Sequence, residues 1–321
     1  MKKTTRTLLG IGGAFCLIGA LLFGIGFMSG GTKYVHATNL NSMNAQEDNK
    51  ESANRFTLKK TEIPDFTSLN INLEDSDLNI EESPNEKSYI EYAQATKDKK
   101  NPVSYSIENG TLTLKEAGNT GASYYINVDI SFLQAALSSK NIEDYTKESS
   151  KYENYVTLYL PKDKLVSSAK IYLGYGDFYV KNAAFDTINI KLDDGDFDAN
   201  TLTANSGKLT FSYGDCDLQK ASLGNISLTS KDGDLTVDEL TLSGKTKIAL
   251  SYGDAEITLN DSTKKVSGFD LATHYGTITA SGLNGNKTVD EDDDVNTFQS
   301  NSKDGNTKLA IDSKDGDITL K

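Results

Sequence analysis

Tryptophan is absent from the chain, and arginine occurs only at Arg6 and Arg55. Histidine appears twice, as His36 and His274, and cysteine twice, as Cys16 and Cys216. Each shortage removes a class of function. Polysaccharide lyases built on parallel β-helices commonly use Arg or Lys as base, and no arginine lies beyond residue 55. Without tryptophan, the strongest platform for stacking sugars is missing. His274 precedes Tyr275 with no His, Cys or Ser partner set out by the pattern, which excludes a zinc site or a catalytic triad around it. Cys16 lies in an apolar run, so the two cysteines form no intrachain bridge, and Cys216 occupies a core position. Acids are so common that no pair stands out as the two carboxylates of a glycosidase. The expectation is a protein that is not an enzyme and takes no cofactor.

Positive charge is also short. The 321 residues hold 33 Lys+Arg against 46 Asp+Glu, a formal net charge of −13. Lys2, Lys3 and Arg6 precede the apolar run with no acid among them. The remainder therefore sets thirty basic residues against 46 acidic ones, a net −16. Such a surface repels nucleic acid phosphates and anionic lipid head groups and favours cationic partners.

Leu8 to Met28 carries no charge. At about 1.5 Å per residue a helix of that length spans about 31 Å, the thickness of a bilayer core. The preceding cations predict a cytoplasmic tail over 1–7, a single transmembrane anchor over 8–28 and everything beyond outside a bacterial cell. The rival is a secretory signal cleaved near Val35-His36-Ala37. Phe15 before Cys16 is too bulky for a lipobox, and Leu160-Pro161-Lys162 lacks the context of a sortase signal. Residues 29–54 read as a flexible linker.

From Phe56 the pattern alternates. Leu69, Ile71 and Leu73, then Leu78 and Ile80, predict strands. Ile107, Leu112 and Leu114 flank the hairpin turn Glu108-Asn109-Gly110. Residues 124–132 and 155–160 also read as strands, with Leu133–Tyr152 a short helix or an ordered loop. An N-terminal β part thus covers 55–160.

The strongest signal is an internal repeat over 161–321. Its marks are glycines at Gly176, Gly195, Gly214, Gly233, Gly253, Gly276, Gly305 and Gly316, spaced by 19, 19, 19, 20, 23, 29 and 11 residues. Apolar residues keep register with them: Ile171 and Leu173, Ile190 and Leu192, or Leu209 and Phe211 before; Phe178 and Val180, Phe197 and Ala199, or Cys216 and Leu218 after. Period two on each side, with a phase jump at the glycine, means two strands facing one core across a turn. The expected fold is all-β: a repetitive β-solenoid with coils of about 19–20 residues, each coil burying its face on the next.

The Gly-Asp turn before apolar-x-apolar, repeated at about 20 residues, comes after YVTLYLPKDKL (155–165). With FTSLNINLEDSDLNIEES (66–83), it resembles the DUF4097 family. Members are described as candidate adhesins and include the Lia-type cell-envelope stress proteins. The resemblance covers about 55–321 and implies a β-solenoid in the cell envelope. It implies no catalytic or ligand residues. Tyr-Gly-Asp and Asp-Gly-Asp here replace the family's common Ser-Gly-Asp.

Two further patterns bear on function. Asp177, Asp196, Asp215, Asp234 and Asp254 would stack in a column, where they either accept backbone N–H groups or ligate calcium. The metal reading is the weaker, since the glycine-rich nonapeptide and a bidentate Glu of known calcium sites are missing. The residue before each glycine alternates: Tyr175, Asp194, Tyr213, Asp232, Tyr252. That edge either keeps like charges two coils apart or meets a partner: a cationic peptide, an envelope polymer or a surface protein. Glu291 to Asp294 reads as a solvated loop. The functional expectation is a tethered adhesin or scaffold, with an envelope-stress accessory that senses or intercepts cationic peptides as the alternative.

Overall fold

The structure, a computed structural model, describes residues 54–96, 101–117, 154–290 and 294–321. The expected anchor over 8–28, the cleavage site near Ala37, the linker, the 124–132 strand, the Leu133–Tyr152 segment and most of the 291–294 loop lie outside them. Among the described residues no helix is long and apolar enough to cross a membrane.

The described chain is all-β apart from one short helix. Its first strands are β1 (Asn54–Ile63), β2 (Ser68–Leu73), β3 (Asp77–Glu82) and β4 (Ser88–Thr96), then the hairpin of β5 (Val103–Glu108) and β6 (Thr111–Glu116). β7 (Tyr155–Leu160) leads into the repeats: β8 (Leu165–Leu173), β9 (Phe178–Val180), β10 (Ala183–Leu192), β11 (Phe197–Phe211), β12 (Cys216–Asp232), β13 (Leu235–Leu242), β14 (Lys245–Tyr252) and β15 (Ala255–Leu259). Helix α1 (Asp261–Val266) comes next, then β16 (Gly268–His274), β17 (Ile278–Ala280), β18 (Asn286–Asp290), β19 (Val295–Ser300), β20 (Lys308–Asp315) and β21 (Ile318–Leu320).

In the repeats every strand lies parallel to its successor one coil on. Ile190 pairs with Leu209, and Leu209 with Leu228. Across the turn, Phe178 pairs with Phe197, Phe197 with Cys216 and Cys216 with Leu235. An in-register step of 19 places identical positions above one another, so the alternation within one coil becomes continuous apolar columns between coils. Phe178 and Phe197 stack with ring centroids 5.0 Å apart, and Phe211 adds a tilted ring 5.8 Å from Phe197. Cys216 continues the first of these columns, buried; burial pushes its thiol up, the behaviour of a small apolar filler rather than a nucleophile.

The ends are built differently. β2 and β3 lie directly against β8 and β9, with Ile71 opposite Ile171 and Leu78 opposite Phe178, although a hundred residues separate them. They form the first turn of the stack. β6 and β7 then pack on their outer side, also parallel. Antiparallel strands close this end: β5 on β6, and β4 with β1 on β7. The β5–β6 turn carries Asn109 and Gly110 at φ 50° and 73°, the left-handed pair a two-residue hairpin needs.

At the other end the order in space departs from the order in sequence. β20 lies between β14 and β16: Ile311 pairs with both Ile248 and Leu271. β21 likewise lies between β15 and β17, with Leu320 opposite Ile257 and Ala280. The chain makes the outermost turn first, with β16 and β17. It returns through antiparallel β19 and β18, then inserts its last strands beneath. The glycine spacings of 23, 29 and 11 residues at this end accompany the crossing.

One marked glycine is corrected. Gly305, expected as a stacked turn, sits in the loop before β20 at φ 72°, with open space where its Cβ would be. The loop is held instead by Asp304. Its carboxylate accepts the Asn306 and Thr307 N–H groups, both at 2.8 Å, and the hydroxyls of Ser302 and Thr307. These bonds to the charged form hold its pKa well below the usual carboxylate range.

Candidate functional site

The remaining turns stack along one edge of the sheet. In space they run Ser76, Gly176, Gly195, Gly214, Gly233, Gly253, Gly316 and Gly276, and from Gly176 onward a Cβ on each would come within 2.0–2.4 Å of the preceding turn's carbonyl oxygen. The coils approach so closely that the position excludes any side chain. Gly214, at φ 114°, shows both constraints together.

The aspartate after each glycine closes the same turns. Asp77 Oδ1 accepts the Asp177 N–H at 2.9 Å, Asp177 that of Asp196 at 2.9 Å, and Asp196 that of Asp215 at 2.8 Å. Asp215 serves Asp234 and Asp234 serves Asp254, each at 2.8 Å. Past the crossing, Asp254 accepts from Asp317 at 2.7 Å, and Asp317 from Thr277 at 2.8 Å. The five aspartates first considered for calcium therefore each spend one carboxylate oxygen on the next coil's backbone. Among the described residues no group of three His, Cys, Asp or Glu could hold a metal ion. Two members, Asp77 and Asp317, were not among the metal candidates. Asp77 escapes because Ser76 replaces the glycine that marks the other turns.

At the first member of this column, Asp77, the N–H donates to the Asn154 carbonyl at 3.0 Å, and both ends of the stack of turns are closed by chemistry. The outermost turn carries Thr277 where the others carry aspartate. At the opposite end, the N–H groups of Glu74 and Asp75 would meet carbonyls of a further coil. They donate instead to Glu116 Oε2, at 2.8 and 3.0 Å. Burial pushes the Glu116 pKa up, against the opposing pull of these two bonds.

Outside the glycines lies the alternating edge. Tyr175, Tyr213 and Tyr252 are 65, 57 and 53 % exposed, and Tyr275 is 68 % exposed. Asp194 and Asp232 are exposed between them. Asp232 pairs with Tyr252, and Tyr252 with Asp315. Lys314 Nζ sits 5.9 Å from the centre of the Tyr252 ring, an ammonium over an aromatic face.

Away from this edge the surface offers little for chemistry. A recess of about 480 Å³ is lined by Asn284, Gly285, Asn286, Gln299, Ser300 and Asn301, none titratable. A smaller one, about 160 Å³, is lined in part by Lys220 and Glu239, 3.9 Å apart. His274 is exposed at the end of β16.

Stacked parallel turns with a carboxylate-to-backbone column and an exposed aromatic edge define a class of all-β repeat domain with an open sheet. The family model described as Toastrack DUF4097 matches residues 66–321, and the chain belongs to that family. Among curated proteins nothing matches. Several solved structures are similar. A candidate adhesin from Bacteroides fragilis shares 11% identity at a TM-score of 0.40, over 84% of this chain and 98% of that one. One from Parabacteroides distasonis shares 11% at 0.37, over 84% and 98%. A candidate cell adhesion protein from Clostridium sporogenes shares 14% at 0.28, over 83% and 98%.

Proposed function

We propose that this chain is a non-catalytic protein of the bacterial cell envelope. In this reading residues 8–28 anchor it in the membrane with residues 1–7 inside. The β-solenoid stack is displayed outside as an adhesin or scaffold. The observation that carries the binding role is the turn edge: four tyrosines, each more than half exposed, held in register by a rigid ladder of backbone bonds. Burying such rings in the fold would stabilise it, and leaving a column of them in solvent suits a surface that meets something. The excess of acid, at a net −13, favours a cationic partner, which supports the second reading: an accessory that intercepts cationic peptides at the envelope.

Two measurements test this. Protease added to intact cells should remove residues 55–321 while a tag on the N-terminus stays protected; a protected β domain overturns the topology. A pull-down from intact envelope with the full chain should retain a partner that is lost with Tyr213→Ser/Tyr252→Ser. A partner set untouched by the double substitution overturns the role of the edge.

A further inference from the structure

The alternation along the edge is longer than the sequence order reveals. Traced through the ladders, the position before each turn reads Asp75, Tyr175, Asp194, Tyr213, Asp232, Tyr252, Asp315, Tyr275. It is unbroken over all eight turns. In sequence Tyr275 comes directly after Tyr252, and Asp315 comes later; only the insertion of β20 between β14 and β16 restores the order. A tandem duplication of coil pairs would copy the alternation in sequence and lose it at the crossing. Here it is kept in space, so the pattern belongs to the surface.

Such a surface sets a repeat length. Parallel strands are about 4.8 Å apart, so like groups recur about every 9.6 Å along the edge. An extended β-strand ligand presents one face about every 6.8 Å and falls out of step within two repeats. A polyproline II helix rises about 3.1 Å per residue with three residues per turn, so it presents the same face about every 9.3 Å. Over four repeats the mismatch accumulates to only about 1.2 Å, within the reach of a lysine side chain. Proline rings pack on exposed tyrosine faces, and this helix is already extended and pre-ordered, so little entropy is lost on docking. Carboxylates between the rings supply charge for a basic residue at every third position, and the Lys314 ammonium near the Tyr252 ring shows the cation–aromatic contact in the same column.

We propose that the turn edge binds a polyproline II segment with lysine or arginine at every third residue, lying across the strands along the stack. This rests on the edge being a binding surface and adds the ligand's conformation and period.

The test uses the full chain in detergent micelles and a labelled peptide of six Pro-Pro-Lys repeats. A second peptide has the same composition with its lysines grouped at one end; a chito-oligosaccharide is the third probe. The regular peptide should bind at least tenfold more tightly than the grouped one. Tyr213→Ser/Tyr252→Ser should weaken it at least tenfold, and Asp232→Asn about threefold. Tyr213→Phe/Tyr252→Phe, which keeps the rings and guards against misfolding, should retain most of the binding. Equal binding of the two peptides would mean that charge alone is read and would overturn the proposal. Tight binding of the sugar with none of either peptide would also overturn it. In both cases a partner lost from the Tyr213→Ser/Tyr252→Ser pull-down would leave the edge standing as a binding surface.

Discussion

The middle of the stack and its far end solve the same packing problem in opposite ways. From β8 to β15 the next coil in space is the next coil in sequence, and each can be added independently of the coils beyond it. From β16 to β21 the outer coil is made first and the inner one last, wedged between two that already exist. The local bonds are the same in both regions: glycine on glycine, aspartate to the next N–H. What differs is the dependence of one coil on another. In the middle, both neighbours of a coil come from adjoining stretches of sequence; at the end, the coil that joins two others is the last to be made, so the outermost coil has no parallel neighbour without it.

Deleting Thr307–Lys321 gives the largest expected effect. Leu309, Ile311, Ile318 and Leu320 are fully buried, and burial of each contributes about 1.5–3 kcal/mol. The deletion also leaves β17 without its ladder and β16 with only its antiparallel partner β19. The total is comparable to the whole stability of an ordinary domain, about 5–15 kcal/mol. The far end from β16 on should lose its protection from exchange, while the coils from β8 to β15 keep a cooperative transition at a lower temperature. If the variant instead melts as one unit, with amides of β16 still protected from exchange, the two regions depend on their neighbours alike.

Next comes the contrast of two glycines. Gly214→Ala places a methyl 2.2 Å from the Gly195 carbonyl oxygen and forces φ 114° on a residue with a side chain. Overpacking and backbone strain together cost about 3–5 kcal/mol. Gly305→Ala meets open space and only mild left-handed strain, about 1 kcal/mol. Urea denaturation should separate the two clearly; similar midpoints would mean that the coils stand further apart at Gly214 than a Cβ requires.

A smaller effect is expected in the aspartate column. Asp215→Ala removes the acceptor of the Asp234 N–H on a solvated edge and should cost about 1 kcal/mol. Asp215→Asn keeps an acceptor oxygen and should cost less. Millimolar calcium should leave both melting temperatures unmoved. A rise with the native chain, abolished by Asp215→Asn, would make the column a metal site.

The smallest effect depends on pH. Asp198 lies on the outer face beside the turns, and its pKa is raised, first by burial, then by the charges of Asp217, Asp196, Asp177 and Asp215. A carboxyl raised by folding resists ionisation, so its ionised form costs stability. That cost is absent below the ordinary carboxylate range and full above the folded pKa. Asp198→Asn should therefore raise the melting temperature slightly at pH 7, with the gain disappearing by about pH 3.5. A gain that grows as pH falls would reverse the assignment.

How far the sequence could be read obeys the same division. The 19-residue step, the inward positions and the turn glycines of the middle were all legible, because there a spacing in sequence is a spacing in space. The membership of β2 and β3 in the stack was not, since Ser76 stands where glycine is the marker and a hundred residues intervene. Gly305 carried the Asp-Gly signature yet belongs to a loop turn closed by Asp304; a local motif cannot tell which acceptor closes it. Glu116 gave no signal, because its carboxylate stands in for the backbone carbonyls that accept the equivalent N–H groups at the other turns. The edge was visible in part: Tyr175 to Tyr252 alternate in sequence, whereas Asp75, Asp315 and Tyr275 fall into line only once the crossing is known.

The interleaved end also restricts how such a chain can lengthen over generations. A duplicated 19-residue unit inserted between Gly195 and Gly233 slides into the ladder as one more rung. A unit inserted after Gly253 must be threaded through a crossing that fits a single coil. Growth is thus confined to the interior, and a single unit there would set tyrosine beside tyrosine or acid beside acid along the edge. The smallest heritable step that leaves the surface pattern intact is two units at once, so relatives of different length should differ by even numbers of coils.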